Sequence, residues 1–140
     1  MIVIPRAHYD EIIDLARESG ELEICGILGG HHDPNRSVVE SVHPTANAAA
    51  HPRTRYEIDP EKQLSLIEEI EARGQAVVGY YHSHPNGPPR PSATDAEQAT
   101  WDGYSYVIVS MDGEPYVGSW RWDGTENRFR QELVVLKNGT

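Results

Sequence analysis

Two histidines separated by one residue stand before a proline-rich bend in the segment HSHPNGPPRPSATD, residues 82–95. The run from Ala76 to Tyr81 just before them is apolar with no polar alternation, which predicts a central strand covered on both faces. Side chains two positions apart on a strand point to the same face, so His82 and His84 can share one metal ion, with Ser83 turned away between them.

The chain must bend after His84, because proline neither continues a strand nor starts a long helix there. Ser92-Ala-Thr-Asp95 then predicts the start of a helix of about ten residues. That return can place Asp95 over the end of the strand. The bend contains four prolines: Pro85, Pro88, Pro89 and Pro91.

His82, His84 and Asp95 offer nitrogen and oxygen ligands that suit Zn²⁺ at about 2.0–2.2 Å and leave a fourth position for water. Bound zinc can lower the pKa of its water from about 15.7 to roughly 7, and it polarises a substrate carbonyl. Amide hydrolysis needs both effects and also a base that passes a proton to the leaving amine, for which a carboxylate is a common choice. The spacing therefore indicates a catalytic metal site.

Each half of the segment also has a simpler interpretation. Histidine pairs at strand ends are often surface residues. Ser92 and Asp95 are equally typical of a helix cap, in which Ser92 accepts from the backbone and Asp95 favours the positive helix end. The two uses of Asp95 can coexist, since one carboxylate oxygen can bind a metal while Ser92 closes the turn.

The rest of the chain predicts two further helices and a strand-rich remainder. Apolar residues at helical spacing end at Gly20, and a second helix begins at Pro60 and stops at Gly74. Thr45 to Asp59 is expected to form a surface flap. Strands are expected at Ile2–Ile4, Ile24–Leu28, Val38–Val42, Tyr104–Ser110, Tyr116–Trp122 and Gln131–Leu136. This order predicts an α/β (α+β) fold with a central mixed, largely antiparallel sheet flanked by helices.

Composition narrows the classes of protein to which the chain can belong. Its 140 residues suit one domain, residues 1–140. Lys and Arg number 12 against 22 Asp and Glu, a net charge of −10 with no dense basic run, so we expect no nucleic-acid partner. No stretch approaches eighteen apolar residues, so we expect no membrane partner either.

Cysteine content and the opening of the chain indicate its compartment. Cys25 is the only cysteine, which rules out an internal disulfide. The first residues turn charged within six positions and do not resemble a signal peptide. A cytoplasmic protein is therefore expected.

The pattern of His82-Ser83-His84, then Ser92, then Asp95 resembles the signature of the JAMM/MPN metalloproteases, zinc enzymes that cut ubiquitin-like proteins from their conjugates. Upstream, Glu23-Ile24-Cys25-Gly26 is similar to the family segment that carries the general base. The resemblance runs from roughly Ile4 to Trp122. It implies the JAMM/MPN architecture, which is cytidine-deaminase-like.

The resemblance also implies roles for single residues. His82, His84 and Asp95 would be the Zn²⁺ ligands, Glu23 would be the general base, and the Ser92 hydroxyl would help to hold the oxyanion. The expected flap is similar to the segment that borders the family's substrate groove. A narrow groove suits an extended Gly-Gly tail, since glycine lets a backbone pass close to a metal.

The implied substrates are isopeptide or peptide bonds after the C-terminal Gly-Gly of a ubiquitin-like modifier or sulfur-carrier protein. The resemblance leaves the oligomeric state open.

Three other functions remain to be weighed. A catalytically inactive MPN-type binding module would have lost ligands, and every expected ligand is present here. A cupin also uses His-x-His but adds a downstream histidine, and none follows His84. A thiol hydrolase would use Cys25, whose apolar neighbours Ile24 and Ile27 make a small buried thiol the simpler explanation.

Overall fold

A mixed β-sheet with helices on both faces forms the computed structural model, which describes residues 1–138. The helices are α1 (Arg6–Ser19), α2 (Pro60–Ala72) and α3 (Ala93–Gln98). The strands are β1 (Ile2–Pro5), β2 (Cys25–His31), β3 (Ser37–Thr45), β4 (Ala76–His84), β5 (Ser105–Ser110), β6 (Tyr116–Asp123), β7 (Arg128–Glu132) and β8 (Val134–Lys137). Among the described residues, no helix combines the length and the apolar character needed to cross a membrane.

The strands lie in the order β7-β6-β5-β4-β2-β3-β1-β8. Four neighbouring pairs are antiparallel: β2 with β3, β2 with β4, β5 with β6, and β6 with β7. Three are parallel: β1 with β3, β1 with β8, and β4 with β5. The expected mixed sheet is confirmed, and β4 lies inside it between β2 and β5 as its apolar run predicts.

The two faces of the sheet carry separate apolar clusters. On one face, Ile12 and Ala16 of α1 pack against β-strand residues that include Tyr81. On the other, Ile70 of α2 packs with Tyr80. Because α1 and α2 cover opposite faces, β4 is buried on both sides, and His82, which lies two positions after Tyr80, points to the α2 side.

One expected strand is wrong in its extent. The run Gln131–Leu136 is interrupted at Leu133, and the two pieces belong to β7 and β8, at opposite ends of the strand order. The sheet curls until its two edges come together, and the Ile2 N–H donates to the Leu133 carbonyl at 2.9 Å. The apolar pattern of a strand does not encode which neighbour it pairs with, so the break was not visible in the sequence.

The third helix is also shorter than expected, at six residues instead of about ten. Ala99 adopts an extended conformation with ψ of 128°. The Trp101 N–H then donates to the Tyr106 hydroxyl at 3.3 Å instead of to a helical carbonyl. A tertiary contact with β5 therefore replaces the last helical turn.

Gly26 faces Tyr81 across the β2–β4 ladder, and a methyl group there would overlap the buried Tyr81 ring and hydroxyl. We expect Gly26→Ala to lower the free energy of unfolding by about 1–3 kcal/mol, because a packed core cannot make room without strain. Urea unfolding measures the change. The matched control is Gly87→Ala, whose added methyl meets its nearest atom at an ordinary 3.4 Å. Equal losses in the two variants would contradict the prediction.

Candidate metal centre

Three potential ligand atoms converge at the end of β4. Asp95 Oδ2 lies 3.2 Å from His82 Nε2 and 3.1 Å from His84 Nε2, and the two ring nitrogens are 3.1 Å apart. All three residues are buried, with at most 7% of their surface exposed. Ligands at about 2.0–2.2 Å around a tetrahedral ion lie roughly 3.3–3.6 Å apart, only slightly wider than the spacing seen here. The triangle is suited to one face of a tetrahedral metal site.

The proline bend determines which ring nitrogen of His84 carries the proton. Its Nδ1 lies 2.7 Å from the Pro88 carbonyl oxygen, which can only accept, so Nδ1 carries the proton. When the ring is neutral, the lone pair is therefore on Nε2, which faces Asp95 and His82 and can bind a metal. When the ring is protonated, Nε2 donates a hydrogen bond to Asp95 Oδ2 instead. A hydrogen bond on the far nitrogen is the usual device that orients a metal-binding histidine.

Asp95 serves the helix and the cluster at once. The Ser92 N–H donates to Asp95 Oδ2 at 2.9 Å, and the Asp95 N–H donates to Ser92 Oγ at 3.0 Å, a complete capping box. Burial alone would raise the pKa of Asp95, but hydrogen bonds from His82, His84 and the Ser92 backbone hold it well below its usual range. The carboxylate is therefore ionised where it faces the two imidazoles.

Glu23 lies just before β2 and, at 5% exposure, is as buried as the other three residues. One of its carboxylate oxygens lies within 4.8 Å of ring nitrogens of His82 and His84. Its Oε1 has no hydrogen-bond partner among the described residues. Burial raises the pKa of Glu23 to about 7; the nearby His84 opposes this rise and Asp95 adds to it. Glu23 thus stands farther from the two rings than Asp95 does, with an unpaired oxygen and a pKa near neutrality.

The backbone of Glu23 is held by the segment between β3 and α2, residues 46–59, which we call the flap. The Glu23 N–H donates to the Pro52 carbonyl at 2.7 Å, and Asn47 Nδ2 donates to the Glu23 carbonyl at 2.9 Å. Asn47 Nδ2 also donates to the Arg55 carbonyl, and Asn47 Oδ1 accepts from the Ala49 and Glu57 N–H groups. One side chain therefore fixes both the shape of the flap and the position of Glu23.

Ser83, which turns away from the two histidines, joins β4 to the Glu23 segment. Its hydroxyl accepts from the Ile24 N–H at 2.9 Å, and its own N–H donates to the Ile24 carbonyl at 3.1 Å. The sequence does not predict that Ser83 joins these two segments. The contact spans 59 residues, and no local pattern signals it.

His82 is oriented differently from His84. Its Nδ1 is buried and has no hydrogen-bond partner among the described residues. Instead, the ring of Tyr56 stacks on it with centroids 4.3 Å apart and planes 23° from parallel. The sequence predicts that Tyr56 lies in the flap but gives no sign of its contact with His82, because residues 46–59 form no helix or strand that would fix the direction of the side chain.

The thiol of Cys25 is buried, and burial, with Glu23 nearby, raises its pKa to about 12. Its Sγ lies 3.8 Å from the carbonyl oxygens of Thr45 and Ala46. A thiol that stays protonated at neutral pH is a poor nucleophile, which disfavours a thiol hydrolase.

Comparison with known proteins identifies the family. The model of the prokaryotic homologs of the JAB domain matches residues 5–123. The chain belongs to this family. A protein from Haloferax volcanii named "Desampylase" is 46% identical to this JAB-domain chain over 132 residues, which cover 91% of each protein.

Two further proteins are similar to this chain. A Thermus thermophilus protein named "Probable TtuB-protein conjugate cleaving protease" is 34% identical over 114 residues, 81% of this chain and 72% of that one. A solution structure from Desulfitobacterium hafniense matches with a TM-score of 0.88 and 31% identity over 99% of this chain and 94% of its own. The resemblance to the JAMM/MPN family is thereby confirmed.

The stack on His82 predicts how Tyr56 affects metal binding. We expect Tyr56→Ala to weaken Zn²⁺ binding about tenfold, because the His82 ring loses the contact that holds it, and Tyr56→Phe to bind nearly as tightly as the wild type. Titration of the metal-free protein against a chromophoric chelator measures the affinity. Tyr116→Ala, at an exposed position of β6, is the control and should change nothing. Equal affinities for Tyr56→Ala and Tyr56→Phe would rule out the role.

Proposed function

We propose that this JAB-domain protein is a zinc-dependent isopeptidase that hydrolyses the bond after the C-terminal Gly-Gly of a ubiquitin-like modifier or sulfur-carrier protein. The observation that carries the proposal is the convergence of His82, His84 and Asp95 with the unpaired carboxylate of Glu23 beside them. The names of the Haloferax and Thermus relatives point to the same reaction class. We infer that the reaction takes place in the cytoplasm and that residues 1–140 form the one domain that carries it.

Three residues would hold the Zn²⁺ ion: His82 and His84 through Nε2, and Asp95 through Oδ2. The donor set of two nitrogens and one oxygen suits zinc, and the lone pair of His84 is already directed inward. Bound there, Zn²⁺ would polarise the scissile carbonyl and lower the pKa of the attacking water.

Glu23 takes the proton from the attacking water and returns it to the leaving amine. Its pKa of about 7 lets the same carboxyl group accept and then donate a proton near neutral pH. The flap contacts hold its backbone in place, so the base needs little reorganisation during the reaction.

The Ser92 hydroxyl donates a hydrogen bond to the oxyanion of the tetrahedral intermediate and keeps its proton. Its Oγ already accepts from the Asp95 N–H, which fixes the oxygen and leaves the hydroxyl proton available. A single donor of this kind commonly lowers the barrier by about 3 kcal/mol.

A catalytically inactive binding module is the alternative. It is not favoured, because the full set of candidate ligands and the candidate base are present together in a buried cluster.

Glu23→Gln separates catalysis from metal binding. We expect kcat to fall at least about 100-fold, because the amide cannot take up the proton, while the bound zinc stays near one ion per chain. Turnover of a conjugate and metal analysis of the same sample measure the two effects. Retained turnover would remove Glu23 from the role of base.

The substrate class is tested with the small Gly-Gly-ending proteins of the organism that encodes this chain. Each is offered as a linear fusion and as a lysine conjugate, with and without a chelator, and products are followed by mass spectrometry. We expect cleavage directly after the Gly-Gly, its loss with chelator and its return with added Zn²⁺. Binding of a modifier without any cleavage would favour the inactive module.

A further inference from the structure

Two clefts flank the candidate metal centre. The first, of about 490 Å³, is lined by Glu23, His84 and Ser92 together with Arg53 and Arg90, and we call it the arginine cleft. The second, of about 510 Å³, is lined by Tyr56, which stacks on His82, and by further aromatic side chains. Arg55 also lines it, but so do the carboxylates of Glu57 and Glu97. The other aromatic residues are Tyr80, Trp101 and Tyr106. The two sides of a scissile bond that lies across the metal would enter different clefts.

The position of Glu23 decides which side of the bond enters the arginine cleft. In amide hydrolysis the proton taken from water must reach the leaving nitrogen, so the leaving group has to lie within reach of the base. Glu23 and Ser92 both line the arginine cleft, and neither lines the aromatic one. A leaving group in the arginine cleft would lie within reach of Glu23, and the modifier tail would then enter from the side of Tyr56.

The arginine cleft differs in charge from the rest of the surface. Arg53 of the flap and Arg90 of the proline bend both line this cleft, and Glu23 is the only carboxylate residue among those described that lines it, in a chain whose net charge is −10. Arg53 lies 3.1 Å from Glu21, but both side chains are about 70% exposed, and such pairs are weak. Arg90 makes no salt bridge within residues 1–138.

The proline bend makes its side of the arginine cleft stiff. Pro85, Pro88 and Pro91 line the cleft, and proline has little backbone freedom to lose when a ligand binds. The cleft is also larger than one lysine side chain requires, so it can take residues on either side of the modified lysine.

We propose that the arginine cleft binds the acceptor segment of the conjugate and selects acceptors with acidic residues beside the modified lysine. This inference rests on the proposed function and adds a specificity for the leaving group. Carboxylates next to the lysine would meet Arg53 of the flap and Arg90 of the proline bend. Guanidinium groups suit this task because they stay charged and present paired donors to a carboxylate.

The test uses two conjugates of one modifier, joined to a lysine peptide in which the flanking residues are either Asp or Asn. We expect the wild type to cleave the Asp conjugate with a kcat/KM about fivefold higher, the scale of exposed ion pairs, and the preference to shrink as salt is raised. The double variant Arg53→Gln/Arg90→Gln should lose the preference. Arg17→Gln, an exposed α1 residue beside Asp14, is the charge-matched control and should keep it.

A binding measurement separates this inference from the proposed function. Fluorescence anisotropy of the two labelled acceptor peptides with metal-free protein should show the same preference for Asp, lost in the double variant. Equal binding and equal cleavage of the two peptides would overturn the acidic preference alone. Cleavage of neither conjugate would overturn the proposed function and, with it, the assignment of this cleft to the leaving group.

Discussion

The structure depends on the burial of four ionisable side chains in one small space at the end of β4. Removing a charged group from water is costly unless it gains hydrogen bonds or an opposite charge. Asp95 gains both from His82, His84 and the Ser92 backbone, whereas Glu23 retains an unpaired oxygen and a pKa near 7. A divalent cation is the partner that would relieve this cost, which links the stability of the fold to the affinity of the site.

The place of β4 in the sheet brings these groups together. Its antiparallel partner β2 places Cys25 opposite His82, so the chain just before β2 delivers Glu23 to the same end. Its parallel partner β5 cannot be reached by a tight turn, and the crossover of residues 85–104 provides the connection. That crossover contains the proline bend and α3, and therefore both the Pro88 carbonyl and Asp95. The long crossover that a parallel pair of strands requires therefore also brings Asp95 and the Pro88 carbonyl to the cluster.

Glu132, whose side chain is 5% exposed, compensates for the same cost in a different way from Glu23. Glu132 accepts from Ser105 and Ser119 at 2.6 and 2.8 Å and from Arg121 Nε at 2.8 Å. Burial would raise the pKa of Glu132, but these hydrogen bonds lower it. Both carboxylate oxygens of Glu132 therefore have hydrogen-bond partners, and Oε1 also lies 3.3 Å from the amino group of Met1. Glu23 differs because it lacks such partners, and that difference separates a group suited to chemistry from one suited to structure.

The sequence by itself determined the features that depend on short-range geometry. Alternation along a strand puts His82 and His84 on one face, proline forces the bend, and a serine three positions before Asp95 caps the helix, all within residues 82–95. The tertiary structure alone decided which distant groups contact this segment: Ile24 bonds to Ser83, and Tyr56 stacks on His82. It also decided that residues 131–136 divide between the two edges of the sheet. These contacts depend on which strands and loops become neighbours, and side-chain periodicity is the same whichever neighbour is chosen.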